Sequence, residues 1–205
     1  MKKLTLLAIL SFTMLFAGSY DKVKITPDIS YIYVYHKGKA VKVHRIQDTK
    51  HKLTGEFAKL YHPGKDIQSI KMDKNIRTIG EVELLSFMRK KVNKKLGILI
   101  DVRPKVSYAK ESIPSAVNIP LRVKDDKVKF GKILNIFGAK RNADKSLETS
   151  NALDIAVYCD GLWSSKSSEF VRALLEAGYP AEHILYYRGG FQMWKILGFT
   201  TVQNN

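Results

Sequence analysis

Apolar and polar residues alternate over Ser30-Tyr-Ile-Tyr-Val-Tyr35 and again over Ala40-Val-Lys-Val-His-Arg-Ile46, with His36-Lys-Gly-Lys39 between the two runs. A period of two on both sides of a short glycine-containing link predicts a β-hairpin, with Gly38 supplying the turn. Gln47 to Asp73 is polar and irregular and includes the turn residues His62-Pro63-Gly64, so it reads as loop.

The period changes after Ile76. Val82, Leu84, Leu85, Met88 and Val92 recur at helical spacing, with Thr78 in the N-cap position. Gly97-Ile-Leu-Ile-Asp-Val102 is a continuous apolar run, as expected of a buried parallel strand, and Pro104 ends it. Ile113 to Pro120 reads as turn, strand, turn, and Val128 to Phe137 is weakly amphipathic. Ala152 to Tyr158 predicts a second buried strand. Ser165 to Ala177 predicts a helix with Phe170, Val171, Leu174 and Leu175 on its apolar face and Gly178 at C′. His183 to Tyr187 is a third strand, and Gly189-Gly190 opens a short helix carrying Phe191, Met193 and Trp194. Strands alternating with helices imply an α/β layer fold with a mostly parallel sheet.

A chain of 205 residues suits one such domain with an appendage. The first 19 residues read as something else. A basic Met1-Lys2-Lys3 is followed by an apolar run from Leu4 to Phe16 and by small residues Ala17, Gly18 and Ser19. This is the pattern of a secretory signal peptide, cleaved after Ala17 or Ser19, and it predicts a periplasmic protein. The run is shorter than a bilayer requires and no later stretch is long enough, so no stable membrane insertion is expected after signal removal. The formal charge is +16, and +14 without Lys2 and Lys3. The lysines are scattered rather than clustered, which reads as a solvated basic surface. Export excludes nucleic acid as the expected partner and leaves small anions.

Cys159 is the only cysteine, so the chain forms no internal disulfide. It ends the second predicted strand and opens Cys159-Asp-Gly-Leu-Trp-Ser-Ser165, which runs into a helix. Open α/β sheets place ligand sites at the carboxyl ends of their strands. A helix N-terminus offers unpaired N–H groups and a positive dipole end, which favour a thiolate. A partly exposed, activated thiol and a buried structural cysteine both fit this position. Asp101 and Arg103 end the first strand nearby and read either as a structural ion pair or as an anion attractor. The five histidines lack metal-ligand spacing, so no metal is assigned.

Four blocks together carry a resemblance. Ile100-Asp-Val-Arg103, Ile113-Pro-Ser-Ala-Val-Asn-Ile-Pro120, Val157-Tyr-Cys-Asp-Gly161 and Tyr187-Arg-Gly-Gly-Phe-Gln-Met-Trp194 resemble, in order and spacing, the signature blocks of rhodanese domains over residues 76–202. The hairpin, Thr49-Lys-His-Lys-Leu53 and Trp163 are similar to those of exported bacterial rhodanese-like proteins. The resemblance implies a rhodanese-like, mostly parallel sheet flanked by helices, with residues 20–75 as a small β-hairpin and loop appendage. It implies a sulfurtransferase that needs no cofactor, with Cys159 as the residue that becomes a persulfide, so its thiol, in a loop before a helix, is expected to be partly exposed and activated. Asp160, Gly161, Leu162, Trp163, Ser164 and Ser165 would form the anion-cradling loop with their backbone amides. The implied partners are a small anionic sulfur donor and a thiol acceptor or partner protein. The rival expectation is a non-catalytic module that binds sulfur species or a partner.

The loop departs from the family pattern. Its glycine comes one place early, and Ser164 stands where an arginine is common. Lys166 is the candidate substitute for that arginine. Phosphatases of the same fold need Cys-x5-Arg to hold phosphoryl oxygens bidentately, and Ser165 occupies that position here. Phosphatase chemistry is therefore not expected.

Overall fold

A computed structural model of the chain describes residues 22–25, 28–52, 55, 67–144 and 146–204. The signal-peptide reading lies outside these residues. The hairpin forms as expected: β1 (Tyr31–His36) pairs antiparallel with β2 (Lys39–His44). Lys37 and Gly38 make the two-residue link with φ of 48° and 76°. Two consecutive left-handed residues match the right-handed twist of the flanking strands, which is why a glycine is placed there.

The central sheet is parallel and has five strands in the order β3 (Arg77–Ile79), β9 (Ile184–Tyr187), β8 (Asp154–Tyr158), β4 (Gly97–Asp101) and β5 (Ala116–Asn118). A separate two-stranded pair joins β6 (Lys140–Arg141) to β7 (Leu147–Glu148). The helices are α1 (Glu81–Lys90), α2 (Lys105–Lys110), α3 (Lys127–Ile136), α4 (Lys166–Glu176) and α5 (Gly190–Ile196). Strand residues alternate between two cores. Ala156, Tyr158, Leu185 and Tyr187 pack with α1, α5 and the hairpin residues Ile32, Val34 and Val43. Ile155, Val157, Ile184 and Tyr186 pack with Leu134 and Phe137 and with Phe170, Val171 and Leu174 of α4. Each such fully buried side chain contributes roughly 1.5–3 kcal/mol relative to exposure. The hairpin therefore shares the first core rather than hanging from it. Asn93 donates to the Tyr33 carbonyl at 2.7 Å and accepts from the Tyr35 N–H at 3.2 Å, and Ser115 donates to the Tyr35 carbonyl at 2.6 Å.

Thr78 does not cap α1. It lies in β3, and its hydroxyl donates to the Ile70 carbonyl. Gly80 holds the N-cap position, where the Glu83 carboxylate accepts from its N–H at 3.1 Å. The edge strand β3 pairs with β9 from Arg77↔Leu185 to Ile79↔Tyr187, and this pairing carries Thr78 into the sheet. Val82, placed on the apolar face by its spacing, is exposed.

Candidate functional site

Cys159 follows β8 directly, at the carboxyl end of the sheet. It is 1% exposed, which corrects the expectation of a partly exposed thiol. The reason is the strand's own period. Ile155, Val157 and Cys159 share one face, so the alternation runs one residue past the strand and turns the sulfur under α4. There Sγ lies 2.9 Å from Oγ of Ser167 and donates to the Ser164 carbonyl at 3.4 Å. Tyr186 interacts with Ser167 from β9. Burial raises its phenol above the usual range, and the nearby sulfur of Cys159 adds to the shift.

The loop is shaped from three sides. The N-terminus of α5 holds its carbonyls: Phe191 N–H donates to the Cys159 carbonyl and Gln192 N–H to that of Asp160, each at 2.9 Å. A trans peptide opposes its N–H to its carbonyl, so the N–H groups of Asp160 and Gly161 are turned away from α5. Gly190, with φ of +63°, makes this contact possible. A Cβ there would meet the Cys159 carbonyl oxygen at 2.6 Å and the Gly161 nitrogen at 2.8 Å. The expected tight turn at Gly189-Gly190 is thus also a close approach to the loop. Gly161 has no room either: a Cβ would lie 2.5 Å from the Trp163 ring, which folds over it, and 2.6 Å from Oε1 of Gln192.

The third side comes from the segment whose polar, irregular sequence predicts plain loop. Gln68 N–H donates to the Leu162 carbonyl at 2.8 Å. Its own carbonyl accepts from Nε of Arg188 at 2.7 Å, and its side-chain oxygen accepts from Ser168 at 3.2 Å. Gln68 therefore ties the loop, α4 and the end of β9 together. Main-chain donors have no sequence signature, so nothing in the pattern around Gln68 marks this role.

The expected binding residues divide. Ser164 N–H closes a turn onto the Gly161 carbonyl at 3.0 Å, which removes it from any amide cradle. The Ser164 hydroxyl faces Asp160 at 3.5 Å, and Ser165 donates to Glu169 at 2.6 Å. Lys166 Nζ is bound to the Asp160 carboxylate at 2.5 Å across the loop, so its charge is already neutralised. Lys166, the expected partial substitute for a loop arginine, is thus paired with an acid of the same loop. Arg103 is 4% exposed and forks onto Asp101, with its second nitrogen at 2.7 Å from Asp101 Oδ2 and from the Glu111 carbonyl. Its guanidinium stacks 4.0 Å from the Phe191 ring centroid, and Tyr158 donates to the same Asp101 oxygen at 2.7 Å. This network realises the structural ion pair, one of the two readings of Asp101 and Arg103, and braces the floor beneath α5.

The rhodanese-like domain family matches residues 83–197. The chain belongs to the rhodanese-like family. Among solved structures, the Alr3790 protein from Anabaena sp. is 26% identical over 61% of this chain and 80% of its own, with a TM-score of 0.42. Ygr203w of Saccharomyces cerevisiae, a homolog of single-domain rhodanese and the Cdc25 phosphatase catalytic domain, is 18% identical over 63% and 85%, at 0.47. A rhodanese with anions from E. coli is 26% identical over 52% and 98%, at 0.34. No curated protein matches. The match over residues 83–197 includes the Cys159 loop, α4 and all of α5, and the hairpin and Gln68 lie outside the matched residues.

Proposed function

We propose that this rhodanese-like protein is a sulfurtransferase that carries sulfane sulfur on Cys159. The observation that carries the reading is the placement of the chain's only thiol. It sits where the sheet's carboxyl end meets the start of α4, 2.9 Å from the Ser167 hydroxyl. The thiolate attacks the sulfane sulfur of the donor, the donor's S–S bond breaks, and the electron pair leaves on the departing fragment. An acceptor thiolate or cyanide then attacks the outer sulfur and returns the Cys159 thiolate. No external oxidant or reductant is needed, and no cofactor.

Polysulfide is the preferred donor over thiosulfate. Thiosulfate carries its charge on a compact anion that needs fixed cations, whereas polysulfide spreads its charge along a chain; the loop holds no arginine, and Lys166 is bound to Asp160. The acceptor is a small thiol or a partner protein in the periplasm, which the N-terminal signal pattern supports. The second reading, a module that binds sulfur species or a partner without turnover, is favoured by the burial of the sulfur. A cyanide-quenched assay with polysulfide and thiosulfate as separate donors distinguishes the two. Turnover that vanishes in Cys159→Ser supports the first. A persulfide that loads once and is not unloaded by thiol or cyanide supports the second.

A further inference from the structure

The hairpin turns three tyrosines away from the protein. Ile32, Val34 and Val43 fill the core, while Tyr31, Tyr33 and Tyr35 on the other face of β1 are 44%, 54% and 60% exposed. Cross-strand pairing sets Tyr31 against His44, Tyr33 against Lys42 and Tyr35 against Ala40, so these six residues share one face. The Tyr31 and Tyr33 rings meet edge to face with centroids 5.5 Å apart, and Lys42 Nζ lies 4.2 Å from the Tyr31 centroid. Burial of the opposite face accounts for the hairpin's attachment and leaves the tyrosine row unexplained. A contiguous exposed row of large rings marks an interaction surface.

The strand edges are already occupied. Asn93 holds the outer edge of β1 at Tyr33 and Tyr35. On the outer edge of β2 the Thr200 hydroxyl donates to the Lys42 carbonyl at 3.0 Å and accepts from the His44 N–H at 3.1 Å. A partner therefore meets the side chains of the tyrosine face and does not add a strand.

The rim of that face is basic. Ser30 to Gln47 contains no acid, and neither does Arg89 to Leu96, the segment that Asn93 ties to the hairpin. Lys37 and Lys39 at the hairpin tip and Lys94 and Lys95 beside Asn93 are exposed and, among the described residues, have no carboxylate at ion-pair distance. Their charge calls for an anionic partner, and the residue types select which one. Protein interfaces favour tyrosine with arginine and are depleted in lysine. Tyrosine with lysine is the pairing of a membrane surface. The ring sits at headgroup level with its hydroxyl in water, and the ammonium meets anionic headgroups.

We propose that the tyrosine face of the hairpin docks this protein on an anionic phospholipid surface. The docking is peripheral, since no helix of the described residues is long and apolar enough to cross a membrane. The hairpin packs on one side of the sheet with α1 and α5, whereas Cys159 belongs to the core on the other side, under α4. A bilayer against the hairpin leaves the α4 side turned away from the lipid. The proposal does not depend on the chemistry of Cys159.

Co-sedimentation of the full chain with vesicles tests it. Vesicles of phosphatidylglycerol mixed with phosphatidylcholine should bind the protein more tightly than phosphatidylcholine alone, and the excess should fall with added salt. Tyr31→Thr/Tyr33→Thr/Tyr35→Thr keeps residues that favour strands and should lose most of the excess. Lys39→Gln/Lys42→Gln/Lys94→Gln should bind the anionic vesicles at least about tenfold more weakly, because each lysine near such a surface contributes roughly fivefold. Both variants carry the same N-terminal apolar segment as the parent, so any lipid binding by that segment cancels in the comparison. Thermal midpoints check that the variants fold, and if the tyrosine variant does not, the lysine variant decides. No anionic excess in the parent, or an excess unchanged in the folded variants, overturns the proposal. Polyglutamate is the lipid-free counter-probe: binding to it that the tyrosine variant loses would make the face an acidic-protein site and would also overturn the proposal.

Discussion

Oγ of Ser167 and Sγ of Cys159 are 2.9 Å apart with both residues buried, and among the described residues that sulfur's other hydrogen bond is to the Ser164 carbonyl at 3.4 Å. A neutral thiol satisfies both, donating to the carbonyl and accepting from the hydroxyl. A thiolate or persulfide changes the balance: the carbonyl now opposes negative sulfur, and the serine hydroxyl supports it. A hydrogen bond to a charged group contributes about 1.5–3 kcal/mol. Ser167→Ala should therefore slow polysulfide loading by roughly 10- to 100-fold. Tyr186→Phe, which removes the hydroxyl that interacts with Ser167, should slow it less. The rate of mass gain by one sulfur atom measures both. Unchanged loading in Ser167→Ala would show that the loop amides alone hold the charge.

Gln68 sets how often the buried sulfur is reached. Its N–H holds the Leu162 carbonyl at 2.8 Å, and proline at this position removes that donor. One hydrogen bond contributes about 1 kcal/mol net, so local opening should increase about fivefold. Iodoacetamide should label Cys159 faster in Gln68→Pro by that factor, with the unfolding midpoint little changed. Equal labelling rates would mean that access runs past Asp160 and Lys166 instead.

Arg103 distinguishes brace from ligand. Asp101, Arg103 and Tyr158 form a buried network, and removing one partner of a buried ion pair costs about 3–5 kcal/mol. Asp101→Asn should accordingly lower the urea midpoint strongly. Arg103→Lys keeps the charge but loses the fork onto Asp101 and the stacking on Phe191. It should lose stability before it loses polysulfide loading per folded molecule. A variant of full stability that no longer loads would return Arg103 to the substrate.

The strands were legible because each is a short apolar run between turn residues, and β4, β8 and β9 fall within two residues of the expected runs. The hairpin was legible for the complementary reason, since Tyr31, Tyr33 and Tyr35 face outward while Ile32 and Val34 face the core. What stayed hidden was short or non-local. Six residues of α2 and three of β3 are too few to show a period. The direction of the Cys159 side chain was present in the alternation of Ile155 and Val157, although the thiol's chemistry suggested exposure. The Gln68 link to Leu162 joins positions 94 residues apart in sequence through main-chain atoms, which leaves the residue type unconstrained for that bond.

Gly190 shows the converse, a residue type fixed by a contact. Alanine at φ +63° is strained, and its Cβ would press on the Cys159 carbonyl and the Gly161 nitrogen. The cost should be at least about 1 kcal/mol, and relief requires the loop to move away from α5. Gly190→Ala should then lose most polysulfide loading while retaining a cooperative thermal transition. Gly178→Ala, at φ +91° but far from the loop, is the control and should lose stability only.

The pH dependence of stability should carry the mark of His36. Its Nδ1 accepts the Ser115 N–H at 3.2 Å, so the neutral ring is the bonded form. Burial lowers its pKa from the ordinary 6.5, and the adjacent Lys37 charge lowers it further, while Asn204 acts in the opposite direction. A proton on Nδ1 would face the Ser115 N–H, and the hairpin would lose a link to the domain. The unfolded chain thus binds the proton more readily than the folded one. The contribution of His36 is fully present above pH 6.5 and is lost as pH falls below it, toward the depressed folded value. The thermal midpoint of the parent should decline between pH 7 and about pH 5, above the range where ordinary carboxylates titrate. His36→Gln, which has no proton to gain, should show a flatter profile over the same window. A variant that tracks the parent through that window would assign the decline to another group.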